Sequence, residues 1–115
     1  MNIIKVKTFD FAKRIVKLSG YLKKVHKEET LSRQLLRSGT SIGANVAEAE
    51  QAQSRNDFIS KMSIALKETA ETKYWLRLLS ETGYLSQKES TSILHDCNEI
   101  ESILVSIVKT TKTEN

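Results

Sequence analysis

Residues 31–53, LSRQLLRSGTSIGANVAEAEQAQ, decide the fold class because they carry one continuous helical pattern without a proline. The apolar side chains recur every three or four positions and so share one face of a helix: Leu31, Leu35, Ile42, Val46 and Ala49. Ser38 occupies the one step of this series that lacks an apolar side chain. The pattern predicts an amphipathic helix over about residues 29–53.

The two flanks of this helix differ in character. One flank is a polar ladder that consists of Gln34, Arg37, Ser41, Asn45 and Glu48. The other flank carries small residues at four-residue spacing, namely Gly39, Gly43 and Ala47. A glycine inside a helix costs about 1 kcal/mol relative to alanine, so something must offset the two glycines. The simplest compensation is the close packing of another helix on this flank.

The same periodicity predicts three further helices, over about residues 8–27, 55–82 and 87–110, followed by a polar tail at 109–115. Residues typical of helix starts precede them: Thr8, Ser54 with Asp57, and Ser86 with Glu89. Gly83 is a natural residue to follow the end of the third helix. That helix has a wide apolar face that includes Tyr74 and Trp75, which suggests burial on more than one side.

The connections between these helices are all short, which forces consecutive helices to run antiparallel. The 115 residues suit one domain, so we expect residues 1–115 to form an all-α, antiparallel up-and-down four-helix bundle. No apolar run approaches the ~20 residues of a membrane span, and we expect a cytoplasmic protein without a membrane partner. The single cysteine, Cys97, lies on an apolar stripe and is predicted to be a small core residue.

Charge is unevenly distributed along the chain. Residues 1–37 contain ten Lys/Arg and three Asp/Glu, whereas residues 38–115 contain eight and eleven, so the two parts carry +7 and −3. On the first helix, five residues form a candidate nucleic-acid-binding strip: Lys13, Arg14, Lys17, Tyr21 and Lys24. Two interpretations remain open, an ordinary solvated helix face and a strip that contacts phosphate groups.

The sequence offers no pattern for catalysis. The segment around Gly39 and Gly43 lacks the lysine of a phosphate-binding loop, and neither His26 nor His95 follows a glutamate at the spacing of a di-metal bundle site. We therefore expect no enzyme activity, metal, cofactor or small-molecule substrate. The remaining candidates form a predicted oligomer-interface or structural polar network, with a metal or catalytic carboxylate pair as the minor alternative: Arg37, Ser41, Asn45, Glu48, Glu68, Glu71 and Trp75.

Residues 37–48, RSGTSIGANVAE, resemble the pattern Arg-x-x-x-Ser-Ile-x-x-Asn-Ile/Val-Ala-Glu of a known bacterial family. Ser54, Asp57 and Phe58 then match its Ser-x-x-Asp-Phe. The chain thus resembles the four-helix-bundle proteins encoded within intervening sequences of 23S ribosomal RNA. This resemblance implies an up-and-down bundle that assembles as a ring-like homopentamer, with no enzymatic activity and a poorly defined function. A more distant resemblance is to the basic, nucleic-acid-binding pentameric accessory protein of diversity-generating retroelements.

Two hypotheses follow for the function. The first is a non-enzymatic homo-oligomeric bundle that binds RNA or another nucleic acid through its basic first helix. The second is a protein–protein interaction or scaffold bundle whose charges complete its own ring and which has no nucleic-acid role. Opposite charges in the two parts of the chain suit a cyclic, head-to-tail interface under either hypothesis.

Overall fold

The computed structural model describes residues 2–114, and these residues form four helices and no strand. The helices are α1 (Asn2–Val25), α2 (Thr30–Glu50), α3 (Arg55–Glu81) and α4 (Gln87–Thr113). They lie side by side in a rod of about 50 × 21 × 19 Å. The all-α, four-helix prediction is confirmed, while Met1 and Asn115 at the ends of the predicted domain lie outside the described residues.

The helices pack as a bundle in which neighbours in sequence are neighbours in space. α1 contacts α2, α2 contacts α3 and α3 contacts α4, while a less extensive contact between α1 and α4 closes the bundle. Ion pairs and hydrogen bonds link the two ends of α1 to opposite ends of α2: Lys5 to Glu50, and Ser19 to Ser32. Consecutive helices therefore run antiparallel, as their short connections require.

The core contains one apolar stripe from each helix. The largest side chains that are almost fully buried include Phe11, Ile15, Ile42, Met62 and Leu104. Buried hydroxyls pair across helix boundaries, as in the hydrogen bonds of Ser19 with Ser32 (3.0 Å) and of Thr72 with Ser38 (2.9 Å). In the part of the chain that the structure describes, every buried side-chain nitrogen or oxygen has a hydrogen-bond partner. Ser38, the polar residue in the apolar stripe of α2, can therefore be buried because its hydroxyl has a hydrogen-bond partner.

α1 begins at Asn2, earlier than the start predicted at Thr8. Ile4 and Thr8 are buried, so the inward stripe extends about two turns further towards the N-terminus than the sequence pattern suggested. The hydroxyl of Thr8 donates a hydrogen bond of 2.7 Å to the carbonyl of Ile4 within the helix. The prediction that Thr8 caps the helix is therefore wrong, because its side chain serves the helix interior.

Other helix ends differ less from the prediction. α1 ends at Val25 and α2 at Glu50, two and three residues before the predicted positions, whereas α4 continues to Thr113. Arg55 donates to the carbonyl of Thr111 at 3.1 Å, which attaches the last turn of α4 to the start of α3. Residues 109–113 of the segment predicted to be a polar tail are thus part of α4.

The caps of α3 and α4 have the geometry that the sequence favoured. Ser54 accepts a hydrogen bond from the Asp57 amide at 3.0 Å, and Ser86 and Glu89 form a reciprocal capping box. After α3, the Tyr84 amide reaches the carbonyl of Leu79 across a residue with a φ of 89°, Gly83. This left-handed turn fixes the direction in which the chain leaves α3.

The two glycines of α2 lie against α1 of the same chain. A Cβ atom at Gly39 would lie 2.7 Å from Cγ2 of Ile15, and one at Gly43 would lie 3.3 Å from Oγ1 of Thr8. Ile15 is branched at its Cβ and fully buried, so it cannot move aside freely. α1 and α2 can therefore come this close at Gly39 only because that residue has no side chain.

Replacing Gly39 by alanine tests this contact. We expect Gly39→Ala to lower the free energy of unfolding by roughly 1–2 kcal/mol, because the overpacking outweighs the gain in helix propensity. The matched control is Gly20→Ala, where a Cβ meets nothing within 4 Å and should raise stability by up to about 1 kcal/mol. Urea unfolding followed by circular dichroism at one protein concentration measures both changes. A Gly39→Ala variant as stable as the native protein would contradict the account.

Candidate functional site

The candidate basic strip on α1 divides into paired and unpaired residues. Lys13 lies 3.1 Å from the Asp10 carboxylate, and Arg14 bonds the Asp96 carboxylate at 2.6 Å and the Ser92 hydroxyl at 3.2 Å. Arg14 thereby links α1 to α4. Two of the five predicted residues, Lys13 and Arg14, thus already pair with carboxylates of the same chain that neutralise their charge.

Lys17 and Lys24 belong to a larger unpaired group at one end of the bundle. Among residues 2–114, neither forms an ion pair, and the same holds for their neighbours Lys23, Lys27 and Arg33. These five residues lie on the last turns of α1, in the α1–α2 turn and on the first turn of α2. We call them the basic end.

Part of this charge has a local structural explanation. Lys23 and Lys24 lie in the last turn of α1, where cations interact favourably with the helix dipole. The N-terminus of α2 is already occupied, because the Glu28 carboxylate accepts hydrogen bonds from the amides of Leu31 (2.7 Å) and Ser32 (2.9 Å). An anion at this end would therefore meet lysine and arginine side chains rather than free helix amides.

Three aromatic rings meet beside the basic end. The centroid of the His26 ring lies 5.3 Å from that of Tyr21 and 5.4 Å from that of Tyr84, with edge-to-face geometry in both pairs. The Tyr21 hydroxyl and His26 Nε2 are 3.3 Å apart. We call these three residues the aromatic cluster. Sequence analysis selected Tyr21 alone, although two short turns at the same end of an antiparallel bundle were a signal that residues near 26 and 84 would meet.

A shallow groove between α1 and α4 adjoins this cluster. Its volume is about 260 Å³, and its lining combines an apolar floor with polar edges: Arg14, Lys17, Leu18, Tyr21, Leu85, Glu89 and Ile93. The carboxylate of Glu89 accepts a hydrogen bond from the Ser86 amide as part of the capping box. The groove therefore lies between α1 and the first turns of α4, and Lys17 and Tyr21 form part of its lining.

A second site joins α2 to α3 through Arg37. Its guanidinium lies 2.6 Å from a Glu71 oxygen and forms two hydrogen bonds of 3.2 Å to the two carboxylate oxygens of Glu68. Trp75 donates from Nε1 to Glu71 at 3.0 Å. The hydrogen bonds from Arg37 and Trp75 lower the pKa of Glu71 below its ordinary value, and the two carboxylates raise that of Arg37.

The other polar residues of α2 do not join this network. Ser41 donates to the carbonyl of Arg37 at 2.6 Å, and Asn45 donates to the carbonyl of Ser41 at 2.9 Å, so both bond within their own helix. Glu48 pairs with Lys61 at 2.8 Å, several turns from the Arg37 site. Within the chain, the antiparallel packing places Glu48 opposite the first turns of α3, where it pairs with Lys61 rather than approaching Glu68 or Arg37.

α1 also carries an exposed apolar stripe on its outer side, which sequence analysis missed. Its members Ile3, Val6, Phe9 and Val16 are 53–66% exposed. Val6 and Phe9 line a groove of about 690 Å³ whose α2 wall consists of small residues, including Gly43, Ala44 and Ala47. Ala47 thus borders an open groove, Gly39 contacts α1, and Gly43 does both. We call this surface the α1–α2 groove.

The described residues offer little for catalysis. No group of three His, Cys, Asp or Glu side chains that could hold a metal ion occurs among residues 2–114. Burial raises the pKa of the Cys97 thiol to about 12, so this cysteine is a core residue rather than a nucleophile at neutral pH. In the same part of the chain, no helix combines the length and apolarity that crossing a bilayer requires.

The Arg37 site should make stability depend on pH. A carboxyl group whose folded pKa is lowered contributes stability above its unfolded value of about 4.5 and loses that contribution as pH falls through the folded pKa. We expect Arg37→Gln to cost less than about 1 kcal/mol at neutral pH, since the pair is partly exposed, and the difference from the native protein to shrink in acid.

The matched control for this change is Arg77→Gln, which removes an exposed pair with Glu81 at 3.8 Å and should leave the pH profile unaltered. Urea unfolding at a series of pH values measures both variants. A difference between Arg37→Gln and the native protein that stays constant down to low pH would show that Glu71 is not responsible.

Comparison with known proteins agrees with this architecture. A family model described as 23S rRNA-intervening sequence protein matches residues 2–106. The chain is similar to a crystal structure of a protein of unknown function from the S23 ribosomal protein family of Bacteroides thetaiotaomicron VPI-5482. The TM-score is 0.91 and the identity is 55%, over 92% of this chain and 98% of that chain. No curated protein matches the chain. Because the family match spans all four helices, this chain belongs to the 23S rRNA-intervening sequence protein family.

Proposed function

We propose that this protein is a non-enzymatic, homo-oligomeric bundle that binds the backbone of RNA or another nucleic acid through its basic end. The observation that carries the proposal is the group of five basic side chains at that end without a carboxylate partner in residues 2–114. By contrast, eight of the other thirteen Lys and Arg side chains form ion pairs among residues 2–114, such as Lys7 with Glu99 (2.9 Å) and Lys73 with Glu101 (3.0 Å).

Unpaired lysine and arginine side chains suit phosphate because each contact releases a counterion from the nucleic acid. A neutralised pair such as Arg14 with Asp96 would first have to separate, which reduces its net contribution. The proposed contact surface is therefore at the end of α1 rather than in its middle. Lys17 and Lys24 belong to this surface, whereas Lys13 and Arg14 have minor roles. The family description, which refers to 23S rRNA, supports RNA as the partner, and a ribosomal RNA partner implies a cytoplasmic location.

A charge-reversal pair tests this proposal. We expect Lys17→Glu with Lys24→Glu to weaken RNA binding by at least tenfold at low salt, because two phosphate contacts become repulsive. The control pair is Lys67→Glu with Lys109→Glu, which reverses two lysines that lie away from the basic end and form no ion pair within residues 2–114. Each pair changes the formal net charge from +4 to zero, since each substitution removes two units. Fluorescence anisotropy with a labelled RNA measures affinity, and equal losses in both pairs would contradict a localised site.

The α1–α2 groove favours a second role, self-association, which is also the core of the scaffold alternative. Large apolar side chains with more than half of their surface exposed are costly on a monomer and are typical of protein–protein contacts. On α3, Tyr74 is 60% exposed and its ring centroid lies 5.1 Å from that of the half-buried Trp75, so this edge of the wide face predicted from sequence is not covered within the chain. Two different surfaces on one chain suit a head-to-tail interface, which closes into a ring such as the homopentamer implied by the family resemblance.

A single substitution tests the groove as a subunit contact. We expect Phe9→Glu to reduce the native mass of the protein, because it places a charge in the exposed apolar stripe. The control is Val105→Glu, which charges a residue that is 38% exposed on α4, outside the groove. Native mass spectrometry and sedimentation velocity report the number of subunits, and circular dichroism reports folding. A Phe9→Glu protein with unchanged mass would contradict the assignment of this groove.

A further inference from the structure

We propose that the aromatic cluster makes the basic end selective for single-stranded nucleic acid, with an unpaired base stacked on its rings. This inference rests on the proposed function and names the substrate class of the same site. The proposed ligand is a single strand rather than a duplex, because a base can unstack from its neighbours and bind the protein only in a single strand. The ligand chemistry is a planar base next to a phosphodiester.

The first support is the free aromatic surface. Tyr21 is 43% exposed and His26 is also exposed, which leaves ring surface in contact with solvent. Tyr21 and Tyr84 both meet His26 edge to face, with interplanar angles of 75° and 85°. Neither pair is stacked face to face, so a flat partner can still add to the cluster. Base–aromatic stacking tolerates any sequence, since every base has a π-face.

The second support is the backbone that holds the rings. His26 precedes Lys27, which has a φ of 56°, and Tyr84 follows Gly83, which has a φ of 89°. Both turns thus pass through the left-handed region, and each is fixed by amide hydrogen bonds, from Glu28 to the carbonyl of Leu22 and from Tyr84 to that of Leu79 (both 3.0 Å). These two turns therefore place the rings of His26 and Tyr84, while α1 carries Tyr21, so little order has to be gained on binding.

The third support is the arrangement of charge around Tyr21. Lys17 lies four residues before it and Lys24 three residues after it, so all three side chains project from one face of α1. Among residues 2–114 neither lysine has a carboxylate partner. A base stacked on Tyr21 would thus lie between Lys17 and Lys24 along the helix. These two lysines would then face the phosphates on either side of that base in a single strand. In a duplex, the stacked bases cannot reach the rings, and only the phosphate contacts remain.

The experiment compares a labelled oligouridylate with an RNA duplex that has the same number of phosphates, by fluorescence anisotropy at low salt. We expect the native protein to bind the single strand more tightly. Tyr21→Leu and Tyr84→Leu should each weaken single-strand binding roughly five- to 150-fold, the range for loss of one stacked base, and leave duplex binding unchanged. Leucine is a good helix former and Tyr21 is exposed, so the fold should persist. Tyr21→Phe keeps the ring and should bind like the native protein.

The control is Val105→Ala, which shortens an exposed apolar side chain on α4, away from the basic end and from both proposed contact surfaces. It should leave both affinities unchanged. If both RNAs bind and Tyr21→Leu weakens them equally or not at all, the stacking inference is wrong while the proposed function stands. If the native protein binds neither RNA, the proposed function fails, and the inference fails with it.

Discussion

The close packing of α1 against α2 at Gly39 and Gly43 determines which surfaces of the molecule remain free. With Ile15 seated on Gly39, the inward stripe of α1 is fixed in rotation about its axis, and its outer apolar residues cannot turn into the core. Phe9 and its neighbours are therefore left at the surface beside the small residues of α2. The same rotation directs Lys17 and Tyr21 towards the edge that α1 shares with α4. Core packing and the two candidate surfaces thus have one origin.

Charge follows the same geometry. Where two helices lie side by side, basic and acidic side chains meet across the seam, as Arg14 does with Asp96 and Arg37 with Glu68 and Glu71. At the end of the bundle that contains the α1–α2 turn, five basic side chains have no carboxylate partner among residues 2–114. For this reason, much of the excess positive charge of residues 1–37 is concentrated at this one end of the bundle. A surface of this kind suits contacts with phosphate, and under the proposed function the three aromatic rings beside it would restrict the shape of the ligand.

The sequence was sufficient for the fold and insufficient for most of the candidate site. Helical periodicity, the capping residues Ser54 and Ser86 and the turn at Gly83 are local signals, and the structure contains each of them. The start of α1 was missed because Thr8 resembles a cap by residue type, while its burial depends on α2. The partners of Lys13 and Arg14 and the meeting of His26 with Tyr84 depend on which helices adjoin, which a single sequence does not specify. The interface roles assigned to Ser41, Asn45 and Glu48, together with the homopentamer, stay predictions.

Salt dependence of RNA binding tests the central claim, that the basic end binds a nucleic-acid backbone, most directly. The measurement is fluorescence anisotropy with a labelled hairpin of 23S ribosomal RNA across a salt series. Three to five phosphate contacts predict that the logarithm of the affinity falls with the logarithm of salt concentration with a slope of roughly −2 to −4.5. Absence of binding even at the lowest salt, or an affinity that does not change with salt, would contradict the claim and favour the scaffold alternative.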